Sequence, residues 1–563
     1  MLSLLSACSL LLAISTLTFT SRLYALYRNY LTARPLNIPL IIRLESWQDP
    51  FWMLCGPPIR SLLSRLGLSD LTTTDYTSIG WPQHDRFASH AALGPAFAII
   101  TPFKTNIVIA DVAAARAMFR GWRAWVKSEE LYAMFNAYGR NVNSANGDDW
   151  QRHRKITAAA LKEGNSRLVW GATRKQVDGV VRKWVGKHGE EITLRELRGD
   201  AETVAMHVLM SAGFGQEYVF ETGVQLVEAG HRVSFGEAMR TCVGAMAVML
   251  VPVTFAVAQL PSWVVPNGLK RLQVAVEEVQ AFLRSAVEAE REALRKGVQP
   301  RDNLISTLVR ANEEEKKGVH GKGLALTDDE LYGNLFMFTL AGHETTSSSL
   351  SYAVPLLAVY PEVQRWIRAE VDAVAAEVGL EDYTEAYPRL VRTLALMYET
   401  QRFFSAIPMH PKYTGSQSQI LKLNGSNKVI PHETFVSINY NAIHFDPALW
   451  GSDVNDFRPS RWIKGNGALG QERFGTPDGA EFLGWSFGPR ACPGKRFSQV
   501  EFTAAIARLL SECEIRPARM EGESVEQARD RLRVKTFDVE HFISLQVTDP
   551  DGAGIVCVSR SDT

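Results

Sequence analysis

The stretch Trp485-Ser-Phe-Gly488-Pro-Arg490-Ala-Cys492-Pro-Gly494 contains the strongest signal in this chain. Gly488 and Gly494 bracket Cys492, so the backbone can turn tightly there and approach a flat ligand closely. A helix is predicted to begin near Gly494, and the positive end of that helix would stabilise a thiolate. The stretch therefore predicts a cysteine of low pKa in a rigid loop, which is a suitable ligand for a soft metal centre.

The same stretch has two other interpretations, a phosphate-binding loop and a buried structural cysteine. A phosphate-binding loop has four residues between its glycines and a Ser or Thr after its lysine. Here five residues separate Gly488 from Gly494, and Arg496 follows Lys495, so the pattern argues against such a loop. The remaining alternative is a cysteine that is simply buried in a turn. None of the six cysteines forms a CxxC pair, so neither a zinc ribbon nor a disulfide scaffold is indicated.

The bulk composition limits the class of protein. The chain has 563 residues, with Lys+Arg and Asp+Glu both at 61, so its formal net charge is zero. A global electrostatic attraction to nucleic acid is absent, and no nucleic-acid partner is predicted. Hydrophobic residues make up 46% of the chain, which is enough for a large core. No linker follows the amino-terminal region, so one large domain is as plausible as several.

The amino terminus has the composition of a membrane anchor. Residues 2–21 contain no charged side chain, which is close to the ~20 apolar residues that a membrane-spanning helix needs. Arg22, Arg28 and Arg34 follow, and this positive flank predicts that the rest of the chain faces the cytosol. A cleaved signal peptide is less favoured, because no basic residue precedes the apolar run. The prediction is a single transmembrane anchor at 1–21 and a basic, proline-containing connector at 22–49.

The pattern of the remaining sequence predicts a mostly α-helical fold with a small β lobe. Short strands rich in Ile, Val and Phe are predicted within 97–110, and strands with turns within 412–443. Helical patterns dominate 111–404 and return at 497–510. The segment from Thr327 to Glu330 is a capping box that should begin one long helix.

The cysteine stretch resembles the haem-binding loop of the cytochrome P-450 family, usually written F-x-x-G-x-R-x-C-x-G. It departs from this pattern only at the first position, where Trp485 stands in place of Phe. The resemblance implies that Cys492 is the axial ligand of a haem iron and that Arg490 pairs with a haem propionate. Trp485 can still pack beside the sulfur, and Gly488 and Gly494 complete the haem-binding loop.

Two upstream motifs resemble other haem-contacting segments of the same family. Trp150-Gln-Arg-His-Arg154 is similar to the W-x-x-x-R helix, which implies that Trp150 and Arg154 contact a haem propionate. Ala341-Gly-His-Glu344-Thr345-Thr346 is similar to the segment [A/G]-G-x-[D/E]-T-[T/S] beside the iron. That resemblance implies that Glu344 and Thr345 relay protons to the reacting oxygen, a step that an apolar pocket requires.

Two further motifs have a structural meaning in the family. Glu399-Thr-Gln-Arg402 resembles E-x-x-R, and Phe457-Arg-Pro459-Ser-Arg461-Trp462 resembles a degraded P-E-R-F segment, with Ser460 for Glu and Trp462 for Phe. The resemblance implies that Glu399, Arg402 and Arg461 form a buried ionic network. The motifs occur in the family's order across a catalytic domain at 50–545, and 546–563 has no counterpart and is assigned to a carboxyl-terminal tail.

The resemblance implies a haem-thiolate monooxygenase in the cytochrome P-450 fold, preceded by one transmembrane helix. It would use haem b, O2 and electrons from NADPH, supplied by a flavoprotein, NADPH–cytochrome reductase, since the chain has no flavin or nicotinamide motif. The similarity is greatest to membrane-bound filamentous-fungal members, which implies a lipophilic substrate of secondary metabolism (a terpenoid, polyketide or alkaloid) and a location in the endoplasmic reticulum. The alternatives are a non-oxygenating haem-thiolate isomerase or dehydratase, and a haem-binding sensor or carrier.

Overall fold

The structure is a computed structural model. It describes residues 2–46, 49–67, 76, 78, 80–158, 161, 163–185, 192–221, 227, 230–247, 260, 261, 263–299, 301, 303–318, 324–465, 468–541, 543–549 and 554–560. The chain divides into two compact units. Unit 1 comprises Met1–Leu131, Ile407–Val454 and Phe487–Arg490, and unit 2 comprises Tyr132–Ala406, Asn455–Ser486 and Ala491–Thr563. The units alternate along the chain, so the segment predicted as the catalytic domain, 50–545, contributes to both.

Helices form most of the described chain, as the sequence predicted. In chain order they are α1 (Leu2–Ala33), α2 (Pro50–Arg65), α3 (Trp81–Asp85), α4 (Ala88–Leu93), α5 (Val112–Arg120), α6 (Glu129–Tyr132), α7 (Gly147–Ala158), α8 (Glu163–Trp184), α9 (Leu197–Leu209), α10 (Phe235–Ala247), α11 (Asn267–Arg295), α12 (Leu304–Lys316), α13 (Asp328–Val359), α14 (Pro361–Val378), α15 (Tyr383–Ala386), α16 (Val391–Phe403), α17 (Tyr440–His444), α18 (Pro447–Trp450), α19 (Lys495–Glu512) and α20 (Val525–Phe537).

The strands are short and belong to several small sheets. They are β1 (Leu40–Ile42), β2 (Ala96–Ile100), β3 (Thr105–Ile109), β4 (Thr193–Leu194), β5 (Met409–Tyr413), β6 (Gln419–Leu423), β7 (Ser426–Ile430), β8 (Phe435–Asn439), β9 (Ile463–Lys464), β10 (Arg473–Phe474), β11 (Cys513–Pro517), β12 (Val539–His541), β13 (Leu545–Val547) and β14 (Ile555–Ser559). Within unit 1, a five-stranded sheet has the order β1-β2-β3-β8-β5, and β6 and β7 form a hairpin. The predicted strand pair at 97–110 corresponds to β2 and β3, which are antiparallel.

The amino-terminal helix of unit 1 is longer than the predicted anchor. Residues 22–33, assigned from the sequence to the connector, continue α1, because no glycine or proline interrupts the chain there. This half of α1 is tied to the rest of unit 1: Arg22 pairs with Asp49, and the Asn29 amide donates to the Thr101 carbonyl at 2.9 Å. Among the described residues, no helix combines the length and apolar character that crossing a membrane requires. The transmembrane anchor at 1–21 stays a prediction.

The core of unit 2 is built around α13. The Thr327 hydroxyl accepts a hydrogen bond from the Glu330 backbone N–H at 3.2 Å, and the Glu330 carboxylate accepts one from the Thr327 N–H at 2.8 Å. These bonds form the predicted capping box, and α13 continues from it without interruption for 32 residues. Most of its side chains are buried against α9, α16 and α20. A helix that is apolar on nearly every side is typical of the interior of a large domain.

The carboxyl-terminal segment of unit 2 contributes to its folded core. β14 pairs antiparallel with both β11 and β4, so it is the middle strand of a three-stranded sheet. Its residues Ile555, Val556 and Cys557 are buried, because β-branched and apolar side chains suit a covered sheet. Where the structure describes it, the tail predicted at 546–563 is therefore part of the folded core. Strand β13 extends across the predicted boundary between the catalytic domain and this tail. Residues 550–553 and 561–563 lie outside the described residues.

Candidate functional site

The loop around Cys492 adopts the tight turns that its glycines predicted. Gly488 has a φ of +74°, and a Cβ built there would lie 3.2 Å from the Phe119 carbonyl oxygen. A side chain at this position would therefore be strained. Further along, the Cys492 N–H donates to the Trp485 carbonyl oxygen at 2.9 Å. Gly494 is the N-cap of α19, which begins one residue later, so the predicted position of Cys492 just before a helix is confirmed.

The thiol of Cys492 is enclosed by protein and yet accessible. Cys492 is exposed to solvent as a residue, although protein atoms surround its thiol. Burial raises the pKa of the Cys492 thiol, while the Gly494 N–H, Arg154 and Lys495 act in the opposite direction. Burial therefore favours the neutral thiol, against the low pKa that the helix end and the basic neighbours predicted, and a metal ion would stabilise the thiolate.

Trp485 packs beside this loop and adds a polar contact that Phe lacks. Its ring is buried and lies 4.8 Å from the ring centroid of Tyr398. The indole N–H donates to the Ser498 hydroxyl at 3.1 Å, and the Lys495 ammonium lies 5.4 Å from the indole centroid. The departure from the family pattern at this position is therefore accommodated by a hydrogen bond to α19.

Trp150 and Arg154 occupy one face of α7, four residues apart. Trp150 is buried and Arg154 is half-buried. Burial lowers the pKa of Arg154, and a charge on Cys492 acts to raise it, which places the guanidinium within electrostatic reach of the sulfur. Within unit 2, the charges of Arg154 and Cys492 therefore influence one another.

Unit 1 contains a group of three cations, of which the sequence singled out only Arg490. Lys127 and Lys412 are buried, at 7% and 1% exposure, and Arg490 is half-buried near them. Burial lowers the pKa of Lys412 to about 7, and the charge of Arg490 acts in the same direction. Burial also lowers the pKa of Lys127, with further lowering by Arg490 and Lys412. Buried cations that repel one another are stabilised by an anion, so this group, the cation cluster, is a candidate carboxylate-binding site.

Glu344 and Thr345 lie in the middle of α13, and their side chains make different contacts. The Thr345 hydroxyl donates to the Ala341 carbonyl at 2.8 Å. The carboxylate of Glu344 is buried, and its Oε1 accepts hydrogen bonds from the Ser544 hydroxyl and the Gln546 amide, both at 2.9 Å. Ser544 and Gln546 were missed from the sequence, because nothing local indicates that a late hairpin reaches α13 two hundred residues earlier.

Glu399, Arg402 and Arg461 form the buried network that their motifs implied. The Arg402 guanidinium donates to both carboxylate oxygens of Glu399, at 3.0 and 2.9 Å, and Arg461 Nε donates to Oε1 at 3.0 Å. The three side chains are almost completely buried. Trp462, which replaces Phe in the family pattern, donates its indole N–H to Glu399 Oε2 at 2.9 Å. The substitution therefore adds a donor to the same carboxylate.

These side chains fit a thiolate-ligated haem. In unit 2, the sulfur of Cys492 is a soft ligand of the kind that a haem iron takes. In unit 1, the cation cluster has the sign of charge that a carboxylate requires. Within unit 2 the structure groups Cys492, Arg154 and Trp485, and separately Glu399, Arg402 and Arg461. Gly488 and Arg490 belong to unit 1.

Comparison with known proteins agrees with this chemistry. The family model for Cytochrome P-450 matches residues 81–534. A cytochrome P-450 monooxygenase of Arthrobotrys oligospora is 28% identical, with 90% of this chain and 91% of the relative covered. A monooxygenase of Penicillium rubens is 26% identical, with 90% of each chain covered. The cytochrome P-450 monooxygenase of the phomenoic acid biosynthesis cluster of Leptosphaeria maculans is 29% identical, with 77% of each chain covered. This chain therefore belongs to the cytochrome P-450 family and is an oxidoreductase that incorporates oxygen from O2.

Proposed function

We propose that this protein is a haem b monooxygenase that hydroxylates or otherwise oxidises a lipophilic small molecule in fungal secondary metabolism. Its fungal relatives are monooxygenases, and one belongs by name to a biosynthetic cluster. Enzymes of this family use haem and O2 and receive electrons from a reductase. The absence of a flavin or nicotinamide motif from the sequence supports a separate flavoprotein, NADPH–cytochrome reductase, as the electron donor.

The observation that carries this proposal is the environment of Cys492: an accessible sulfur enclosed by protein, with Arg154 in electrostatic reach. Cys492 Sγ would ligate the iron. By the family motifs, Trp150, Arg154 and Arg490 would bind the propionates, and the charge of the cation cluster in unit 1 suits a carboxylate of this kind. A haem bound through a thiolate would receive electron density from the sulfur, which favours cleavage of the O–O bond. The protein's own task is then to hold the group, exclude bulk water and deliver protons.

Glu344 and Thr345 would deliver those protons. Both side chains sit on α13, and the hydroxyl of Thr345 can leave its bond to the Ala341 carbonyl to donate elsewhere. Ser544 and Gln546 both donate to Oε1 of Glu344. The other carboxylate oxygen, Oε2, would accept and release the proton.

The test of this role uses Thr345→Ala, with Thr345→Ser as its matched control. We expect Thr345→Ala to consume NADPH through the reductase while forming about tenfold less product and more hydrogen peroxide, because proton delivery contributes at least this factor. Thr345→Ser keeps the hydroxyl and should stay close to wild type. Product yield and peroxide per NADPH are the measurements. Full coupling in Thr345→Ala would contradict the relay, and turnover without NADPH and reductase would favour the isomerase alternative.

Lys412→Met is expected to weaken haem retention. In the haem-free chain the pKa of Lys412 is about 7, and a bound carboxylate would raise it, so haem binding would take up a proton. Haem affinity should therefore be highest below about pH 7 and fall as the pH rises above it, by at most about tenfold per pH unit. The methionine variant should show a weaker dependence on pH, with Lys127 left as the titrating lysine of the cluster. Transfer of haem to excess apomyoglobin measures the effect at each pH, with the exposed Lys422→Met as control. If Lys412→Met and wild type released haem equally at every pH, the proposal that a haem carboxylate binds at Lys412 would be wrong.

The amino terminus would attach the protein to the endoplasmic reticulum membrane, with the catalytic part in the cytosol. Exposed apolar side chains on α1, among them Leu12, Leu17 and Phe19, support this proposal. Deletion of residues 1–21 should move the protein from the carbonate-resistant membrane pellet to the supernatant while the haem spectrum is retained. A deletion variant that still resists carbonate extraction would contradict an anchor confined to this segment.

A further inference from the structure

A cavity lies in unit 2 where the four helices α8, α9, α13 and α19 pack against one another. It has a volume of about 380 Å³, counting its opening. Each helix contributes apolar side chains to its wall, among them Val177, Val204, Leu350 and Ile506. These four side chains are at most 5% exposed. Because the interior of a protein is close-packed, a space between buried side chains of four helices is a specific feature of this fold.

The wall of the cavity is apolar although it includes one acid. Asp200 on α9 borders the cavity, but both of its carboxylate oxygens are engaged elsewhere. The Trp184 indole N–H donates to Oδ2 at 2.7 Å, and the Lys183 ammonium donates to Oδ1 at 2.7 Å. The surface that a small molecule can touch inside the cavity is therefore apolar. Water in such a space lacks hydrogen-bond partners, so we expect the cavity to be dry.

The size and chemistry of this cavity select a small apolar ligand. The space suits a molecule of about two heavy atoms, since a single water needs about half of it. A charged or polar ligand would lose its hydration without compensation by the wall. O2 has two heavy atoms and no charge, and it loses little on leaving water because water binds it weakly. It is also the co-substrate that the oxygen-incorporating enzymes of this family consume.

The cavity adjoins the helix that carries the oxygen-handling motif. Thr346, Leu350 and Val354 are spaced by four residues on α13, so they follow one another along one face of the helix. Leu350 and Val354 line the cavity, and Thr346 ends the motif that resembles the family segment beside the iron. At ~1.5 Å per residue, Leu350 lies about 6 Å from Thr346 along the helix axis. A gas molecule in the cavity is thus held close to this motif.

We propose that this cavity is a binding site for O2, separate from the haem, which holds the co-substrate beside α13. The apolar wall binds the gas by dispersion contacts and by the exclusion of water, and no covalent bond forms or breaks. Since the use of O2 follows from membership of the family, the inference does not depend on the proposed roles of Glu344 and Thr345.

Xenon is the structural probe of this site, because it is apolar, small and a strong scatterer of X-rays. In crystals of the haem-loaded enzyme under xenon pressure, we expect a xenon atom between Val177, Val204 and Leu350. Ala201→Leu adds three carbon atoms to the wall and should abolish this peak. Leu350→Ile conserves volume and polarity and should retain it. Ordered water in the wild-type cavity, or no xenon there, would overturn the proposal.

The functional readout is the rate at which O2 replaces carbon monoxide on the reduced, haem-loaded enzyme after a laser pulse removes the carbon monoxide. We expect this rate to be about threefold lower in Ala201→Leu and unchanged in Leu350→Ile. If Ala201→Leu does not fold, Val204→Thr replaces it, since its hydroxyl admits water without changing the volume. The same losses of xenon and of rate are expected. Xenon binding in wild type without a change of rate in the variant would identify the cavity as a packing void and contradict the proposal.

Discussion

Cys492→His is expected to bind haem but to lose the strongly red-shifted Soret band that the reduced carbon monoxide complex shows under thiolate ligation. Imidazole is a good iron ligand, so the haem can remain bound, but it does not donate the negative charge of a thiolate. Monooxygenase activity should fall by about a thousandfold or more, because that charge assists O–O cleavage. The structure adds a reason for this sensitivity: burial disfavours the free thiolate, and a metal ion would stabilise it in this loop.

The matched control is Cys55→Ser, which changes another cysteine that is partly accessible and lies in unit 1. Its carbon monoxide spectrum should be that of wild type. If Cys492→His kept the red-shifted band, or if Cys55→Ser lost it, the assignment of the axial ligand would be wrong.

Glu399→Gln is expected to reduce the free energy of unfolding by about 3–5 kcal/mol. The substitution removes the negative charge that faces the two guanidinium groups bonded to Glu399, those of Arg402 and Arg461. Both arginines are buried, so water cannot compensate for the lost carboxylate. Denaturant unfolding of the holoenzyme, followed by the Soret band, measures the change. The yield of haem-loaded protein should fall with it.

Trp462→Phe is the control for this network. It removes one neutral N–H donor to Glu399 Oε2, and Arg402 Nε still donates to that oxygen at 3.0 Å. The expected loss is about 1 kcal/mol. If Glu399→Gln destabilised the protein no more than Trp462→Phe, the two buried charges would have another partner and the network would not be the element that stabilises this region.

Local patterns were sufficient for several parts of the fold. The capping box at Thr327 and the start of α19 after Gly494 both follow from short-range rules, since the bonds that define them join residues three or four apart. The haem-binding stretch around Cys492 is similarly local, and so is the Glu399–Arg402 pair. Such features could be predicted because the residues that determine them are neighbours in the chain.

Long-range packing decided the remaining features. Only the folded chain shows that β14 is a central strand, that Ser544 and Gln546 bind Glu344, and that burial lowers the pKa of Lys412. The pKa of Cys492 is a further example: the local helix end and basic neighbours favour a thiolate, but desolvation outweighs them. Spacing and residue type alone determined which side chains are candidates to ligate haem iron, to relay protons or to form the ionic network. Their environment depends on how much protein surrounds each group and which distant segment packs against it, and only the tertiary structure decides that.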